Sequence, residues 1–139
     1  MLADDDADDR LLFEEAIAEL DVRVGFNMVK DGVELINYLT GGGFMMPQIL
    51  FLDLNMPFKN GFQCLDEIRS MKTFQDLFII IYSTTARAGD IEAGYSKGTN
   101  LFIQKPNSYS DLKKILRTIL TAQNLPFYPP KDQFVFRIS

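Results

Sequence analysis

The sequence contains no histidine, a single cysteine and no excess of basic residues. Without histidine, His-based acid/base catalysis and His-ligated zinc are excluded. Cys64 alone cannot form an internal disulfide, which fits a reducing compartment, and we expect a cytoplasmic protein. The net charge of -5 argues against direct binding to nucleic acid or to anionic membranes, because both require basic patches.

Long apolar runs are also missing. No stretch approaches the roughly 18 consecutive apolar residues of a membrane span, and the N-terminus lacks the basic and apolar regions of a signal peptide. We therefore expect no membrane insertion. The 139 residues, 47% of them apolar, fit one globular domain with a substantial core and leave no room for a second catalytic or DNA-binding domain of normal size.

Strand patterns alternate with helix patterns along the chain. Uninterrupted apolar runs at residues 49–52 and 77–82 are typical of parallel strands buried on both faces. Apolar residues at helical spacing predict amphipathic helices between the strands. Further strands are predicted at 1–3, 22–29 and 100–104, and helices at about 7–20, 32–40, 61–71, 88–97 and 109–122. Five strands alternating with five helices predict an α/β fold, a doubly wound parallel sheet with helices on both faces.

Local signals refine three of these elements. Asp31 with Glu34 resembles a capping box at the start of the second helix, which the glycines at 41–43 end, and Ser108 is the expected N-cap of the last helix. Gly89 and Gly94 lower the intrinsic propensity of the fourth helix by roughly 1 kcal/mol each relative to alanine. We expect this helix to be the most mobile one.

The helical pattern breaks after Gln123, at three prolines. The sequence therefore predicts a domain over residues 1–122 and an extension over residues 123–139. Apolar residues within 134–138 are too frequent for a solvated linker and indicate a short added strand or an ordered strap. We expect this segment to pack on the sheet edge or on a second protomer, as in a homodimer.

Polar side chains follow four of the predicted strands. Asp4 and Asp5 follow the first strand, Asp53 the third, Ser83 the fourth and Lys105 the fifth. Because the carboxyl ends of parallel strands meet at one edge of a sheet, we expect these groups to lie together. Taken alone, Asp53 could equally be a helix or turn cap. A lysine followed by proline, opposite three acids, is harder to explain by capping.

The chemistry of this group is specific in kind. Three clustered carboxylates need a hard cation, and with waters and a backbone carbonyl near Asn55 they would satisfy the octahedral oxygen coordination of Mg²⁺. A carboxylate beside Mg²⁺ and a lysine is suited to accept a phosphoryl group, because the two cations neutralise the charge on its oxygens. The Ser83 hydroxyl can hydrogen-bond a phosphoryl oxygen.

Together, the residues Asp4-Asp5, Asp53-Leu-Asn-Met-Pro, Ser83-Thr84 and Lys105-Pro106 resemble the receiver domain of two-component response regulators, of the single-domain type found in chemotaxis. The resemblance covers residues 1 to about 122. It implies a flavodoxin-like strand order of 2-1-3-4-5.

The resemblance also implies a role for each acid. Asp53 would be the phosphoacceptor. Asp5, Asp53 and the carbonyl of Asn55 would ligate Mg²⁺ directly, and Asp4 would act largely through water.

Three further residues complete the implied site. Ser83 and Lys105 would contact the phosphoryl oxygens. Phe102 stands where the family keeps an aromatic switch residue, which would turn inward as phosphorylation draws Ser83 in. Phe102 can also be interpreted as an ordinary core aromatic of the fifth strand.

The function implied is that of a phosphoacceptor switch in a two-component system or phosphorelay. The phosphoryl group would come from a phosphohistidine on a sensor histidine kinase or a histidine phosphotransfer protein. Since no output domain follows, the signal would leave through contact with a downstream protein. Beyond its own phosphotransfer and slow dephosphorylation, we expect no enzymatic activity.

Two alternatives are weighed against this interpretation. A phosphatase of the haloacid-dehalogenase type also uses an aspartate nucleophile after a strand, but it requires a second acid two residues later, where this chain has Asn55. A receiver that takes no phosphate and acts as a docking surface alone is disfavoured by the intact set of acids, hydroxyl and lysine.

Overall fold

The computed structural model describes residues 1–42 and 45–138. Within them, five strands and five α-helices alternate along the chain. The strands are β1 (Leu2–Ala3), β2 (Met28–Val29), β3 (Ile49–Leu52), β4 (Phe78–Ser83) and β5 (Leu101–Gln104), and the helices are α1 (Ala7–Glu19), α2 (Gly32–Thr40), α3 (Gly61–Ser70), α4 (Ala88–Ser96) and α5 (Tyr109–Thr121). Short 3₁₀ turns occur at Lys72–Phe74 and Lys131–Gln133. None of these helices is long and apolar enough to cross a membrane.

The strands form one parallel sheet in the order β2-β1-β3-β4-β5. This confirms the predicted fold class and strand order. The two strands predicted from uninterrupted apolar runs, β3 and β4, lie next to each other inside the sheet. Their apolar composition follows from this position, because both faces of the sheet are covered by helices.

Alternation of side chains along the strands supplies a core on each face of the sheet. Leu50 and Leu52 face one side, where they pack in a cluster with apolar residues of α2 and α3. Phe51 and Tyr82 face the other side, in a cluster with residues of α1 and α5. A third, smaller cluster lies beneath α4 and contains Leu54, Ile81, Phe102 and Phe134.

The second strand is much shorter than its composition suggests. A strand is predicted over residues 22–29, but β2 consists of Met28 and Val29 alone. Met28 and Val29 pair in parallel with Leu2 and Ala3, the two residues that make up β1. Within residues 22–27, Phe26 instead packs against Phe13, with ring centroids 5.5 Å apart.

The helix ends agree with their local signals. The Asp31 carboxylate accepts a hydrogen bond from the backbone N–H of Glu34 at 2.7 Å, and the Ser108 hydroxyl accepts one from the N–H of Asp111 at 3.1 Å. Helix α2 ends at Thr40, directly before the glycines, of which residue 43 lies outside the described residues. The expected mobility of α4 stays a prediction.

The C-terminal extension runs back over the domain and reaches the open edge of β5. Its Phe127 packs edge-on against Phe78, with centroids 6.0 Å apart, and the side-chain amide of Asn100 donates to the Phe127 carbonyl. Val135 then forms a single parallel bridge with Phe102. Of the two placements expected for residues 134–138, the structure has the one on the sheet edge.

A glycine at the start of α3 sets the position of the loop after β3. The Gly61 N–H donates to the Leu54 carbonyl at 3.0 Å, and a Cβ on Gly61 would lie 2.4 Å from the carbonyl oxygen of Asp53. We expect Gly61→Ala to lower the free energy of unfolding by about 1–3 kcal/mol, because the loop must shift to relieve this overlap. Urea denaturation measures the change.

Gly89→Ala is the matched control, since Gly89 also lies in the first turn of a helix and a Cβ there meets no atom within 4 Å. This variant should be neutral or more stable by up to about 1 kcal/mol, as helix propensity predicts. Equal stability of the two alanine variants would contradict the argument.

Candidate functional site

The charged candidate residues and Ser83 lie at the carboxyl edge of the sheet. Asp4 follows β1, Asp53 follows β3, Ser83 ends β4 and Lys105 follows β5. Backbone hydrogen bonds fix their register: the Asp53 N–H donates to the Ala3 carbonyl at 2.9 Å, and the Lys105 N–H donates to the Ser83 carbonyl at 2.7 Å. The parallel pairing therefore brings together side chains that are up to about a hundred residues apart in sequence.

The carboxylates of Asp4, Asp5 and Asp53 converge. One oxygen from each lies within 4.8 Å of the other two. Asp4 and Asp53 are buried, with 0% and 4% of their surface exposed, and Asp5 is exposed. Three oxygen ligands on one side and solvent on the other suit a hard divalent cation that keeps part of its water shell.

Lys105 supplies the positive charge of the site. Its ammonium nitrogen lies 2.8 Å from Asp4 Oδ2, 2.8 Å from Asp9 Oδ2 and 3.8 Å from Asp53 Oδ2. The ammonium group also lies 5.4 Å from the centre of the Tyr82 ring, within range of a cation–π contact. Lys105 is thus held by partners on several elements, and Asp53 is the most distant of its three carboxylate partners.

Burial and charge shift the pKa values of these groups. Burial raises the pKa of Asp53 to about 7; Lys105 opposes this shift and the neighbouring Asp4 adds to it. Burial likewise raises the pKa of Asp4. Burial alone would lower the pKa of Lys105, but its ion pairs with Asp4 and Asp9 and the field of Asp53 outweigh burial and raise it. The lysine therefore stays charged, while the acids repel one another.

The remaining predicted residues border this cluster. Ser83 is fully buried, and its hydroxyl oxygen accepts a hydrogen bond from the Thr85 N–H at 3.3 Å, which leaves the hydroxyl proton available for a ligand. The Asn55 N–H lies 3.5 Å from Asp53 Oδ1. The role expected of the Asn55 carbonyl stays a prediction. Phe102 is fully buried in the cluster beneath α4.

Sequence reasoning missed Asp9. This residue lies in the first turn of α1 beside Asp8, where an acidic residue is explained by the helix dipole alone. Asp9 nevertheless reaches Lys105 across the site, whereas Asp8 is exposed. The sequence carries no signal that separates the two, because the distinction depends on how α1 is rotated against β5.

Five parallel strands in this order, with acids and a lysine converging at their carboxyl edge, define a receiver-type α/β protein. The family model of the response regulator receiver domain matches residues 1–117. The chain therefore belongs to this family, whose members act in two-component signalling, where they interact with histidine kinases and with downstream targets.

Individual relatives agree. The probable methanogenesis regulatory protein FilR2 of Methanothrix harundinacea is 26% identical over 122 residues, which cover 86% of this chain and 79% of the relative. The crystal structure of the phosphorylated cyanobacterial phytochrome response regulator RcpA is 31% identical, with a TM-score of 0.81 over 90% of this chain and 95% of that one. The Mn²⁺-bound form of response regulator Rcp1 has a TM-score of 0.80 at 24% identity, over 90% of this chain and 96% of that one.

The raised pKa of Asp53 predicts a dependence of stability on pH in the metal-free protein. The folded state holds the proton of Asp53 up to a pH of about 7, whereas an unfolded aspartate loses it near its ordinary pKa of 3.8. Folding stability from this group is therefore present at low pH and is lost as the pH rises towards 7.

We expect Asp53→Asn, which carries no charge at any pH, to gain stability relative to the wild type by up to about 2–3 kcal/mol between pH 5 and 7, and then to level off. Urea denaturation in the presence of a chelator measures the difference. A difference that does not vary with pH would contradict the assignment. Saturating Mg²⁺ should flatten the dependence, because a cation favours the ionised carboxylate.

Proposed function

We propose that this chain is a phosphoacceptor switch in which Asp53 takes a phosphoryl group from a phosphohistidine with the help of Mg²⁺. The observation that carries the proposal is the position of the Asp53 carboxylate, with Lys105 3.8 Å away and the Asp4 and Asp5 oxygens within 4.8 Å. An anionic acceptor, an ammonium group and the ligands for a divalent ion therefore share one pocket.

Charge supports a divalent cation in this pocket. Asp4, Asp5, Asp9 and Asp53 together outnumber the one ammonium group, and two of these carboxylates are buried. Asp5, Asp53 and the Asn55 carbonyl would ligate Mg²⁺, and Asp4 would act largely through water. When bound, the ion supplies positive charge that neutralises the oxygens of the incoming phosphoryl group. The related response regulator Rcp1 has a Mn²⁺-bound form, which supports the proposal of a divalent ion here.

Phosphoryl transfer from the phosphohistidine to Asp53 is an in-line displacement. An oxygen of ionised Asp53 attacks phosphorus, the bond from phosphorus to the donor imidazole nitrogen breaks, and the electron pair leaves with the imidazole. Lys105 moves from its carboxylate partners towards the phosphoryl oxygens, and Ser83 donates its hydroxyl proton to one of them. The related response regulator RcpA has a phosphorylated form, which supports the proposal that this chain accepts a phosphoryl group.

Phosphorylation would then be transmitted through Ser83 and Phe102. Drawing Ser83 towards the phosphoryl group moves the loop after β4, and the buried position of Phe102 is the state that this movement favours. The surface formed by α4, β5 and α5 changes and is read by a downstream protein. The donor is a sensor histidine kinase or a histidine phosphotransfer protein, and the chain acts in the cytoplasm without binding nucleic acid.

We further propose that residues 1–122 form the receiver and residues 123–139 an extension. Catalysis in this protein is limited to its own phosphotransfer and slow dephosphorylation. A homodimer is compatible with this proposal.

The phosphoacceptor is tested by labelling with a small phosphodonor and Mg²⁺. We expect the wild type to take up one base-labile acyl phosphate and Asp53→Asn to take up none, since the attacking carboxylate is gone. Intact mass measurement at neutral pH gives the stoichiometry. Asp66→Asn is the control, because Asp66 is an exposed acid on α3 that pairs with Lys97 outside the pocket, and it should be labelled like the wild type. Labelling that survives Asp53→Asn would point to another acceptor.

Asp9 should restrain Lys105 and thereby slow this reaction. We expect Asp9→Asn to be labelled about threefold faster than the wild type, because a partly exposed ion pair of this kind is worth up to about 1 kcal/mol. The rate of phosphoryl uptake from the small donor measures it. Asp8→Asn removes the same charge from the same helical turn without touching Lys105, and its rate should stay unchanged. A slower Asp9→Asn variant would mean that Asp9 assists the lysine instead.

A further inference from the structure

Residues 134–136 of the extension occupy the free edge of β5. The Phe102 N–H donates to the Phe134 carbonyl at 3.0 Å, and the Phe136 N–H donates to the Phe102 carbonyl at 2.9 Å. Both backbone groups of Phe102 that point away from the sheet are therefore satisfied by the extension. The unpaired backbone groups of an edge strand can pair with another segment, and here a segment of the same chain pairs with them.

The side chain of Phe134 forms the second part of this contact. It is fully buried, with its ring centroid 6.3 Å from that of Phe102 and 5.2 Å from that of Tyr95 on α4. Gly94 on α4 allows the close approach of Ile81, because a Cβ there would lie 2.5 Å from Ile81 Cδ1, whereas its distance of 3.7 Å from the Phe134 ring is an ordinary contact. The Phe134 ring is therefore packed between α4 and β5.

Two further contacts join an earlier part of the extension to α4. The Tyr95 hydroxyl donates to the Pro129 carbonyl at 3.4 Å, and Lys131 pairs with Glu92 at 2.5 Å. The extension thus bridges α4 and β5, the two elements that border the cluster around Phe102.

This cluster is directly connected to the candidate site. Phe102 pairs in register with Ile81, and Ile81 lies two residues before Ser83 on the same face of β4. Lys105 lies three residues after Phe102, and its N–H is bonded to the Ser83 carbonyl. A displacement of Ser83 or of the loop after β4 therefore changes the cavity that holds both phenylalanine rings.

We propose that residues 134–136 are a built-in ligand of the β5 edge and that phosphorylation of Asp53 strengthens their docking through Phe102. This inference rests on the proposed function. The docked segment packs on Phe102 in its buried position, and an outward Phe102 ring would lose this contact. Both the docked segment and the phosphoryl group therefore favour the same position of Phe102.

Linkage makes the coupling reciprocal. If phosphorylation raises the equilibrium constant for docking of residues 134–136 by some factor, undocking them must lower the affinity of the site for a phosphoryl analogue by the same factor. Removing the Phe134 ring is the way to undock them. A partner protein that binds the β5 edge must also displace residues 134–136. The extension therefore lowers the apparent affinity of such a partner.

The test uses full-length variants and beryllofluoride, an acyl-phosphate analogue, at saturating Mg²⁺. We expect Phe134→Ala to weaken beryllofluoride binding about fivefold or more, the lower end of typical coupling between sites. Phe136→Pro removes the N–H that bonds to Phe102 and keeps the Phe134 ring, and its effect should have the same direction. Amide chemical shifts followed by NMR give the affinities.

Phe127→Ala is the matched control. Phe127 is an aromatic residue of the same extension, but it packs on Phe78 and Arg69 at the opposite end of the sheet. This variant should bind beryllofluoride as the wild type does. In a Phe102→Ala background, Phe134→Ala should have no further effect, because the ring that transmits the coupling is absent.

Hydrogen exchange provides the reciprocal measurement. Beryllofluoride should slow exchange of the Phe136 N–H in the wild type. The fold change in exchange rate should be about equal to the fold loss of beryllofluoride affinity in Phe134→Ala. Unchanged affinity of the Phe134 and Phe136 variants, or faster exchange on binding, would overturn the coupling while leaving the phosphoacceptor intact. Absence of beryllofluoride binding in the wild type, or binding that survives Asp53→Asn, would overturn the proposed function and the coupling with it.

Discussion

The ammonium group of Lys105, shared among carboxylates from different elements, is the interaction on which the candidate site depends. Burying Asp4 and Asp53 next to each other is unfavourable unless a positive charge accompanies them. Lys105 supplies that charge and at the same time connects the ends of β1, β3 and β5 with the first turn of α1. Because one ammonium group cannot neutralise all of these acids, the pocket retains negative charge for a divalent ion.

The sheet makes this convergence possible. Parallel strands all end at the same edge, and the strand order places β3, which delivers Asp53, between β1 and β4. Apolar clusters on both faces hold the strands rigidly, so that the charged side chains can lie close to one another without being free to separate. The same packing explains why Gly61 is needed, since α3 must begin in contact with the Asp53 backbone.

The region beneath α4 differs from the rest of the core, because an aromatic ring from the C-terminal extension completes it. Phe134 is buried there as fully as any residue of the central strands. A helix with Gly89 and Gly94 has weak intrinsic stability, and the extension compensates by packing against it through Tyr95 and Glu92. The receiver surface around α4 and β5 is therefore partly made of residues outside the segment that matches the family model.

The sheet and most of the candidate pocket can be predicted from the sequence, because they follow from local patterns. Apolar runs marked β3 and β4, helical spacing marked the helices, and acids, a serine and a lysine stood directly after strands. Three features depend on long-range packing instead: β2 is limited to Met28 and Val29, Asp9 rather than Asp8 reaches Lys105, and Phe134 lies on Phe102. Each of these depends on the register or rotation of segments far apart in the chain, which no local periodicity encodes.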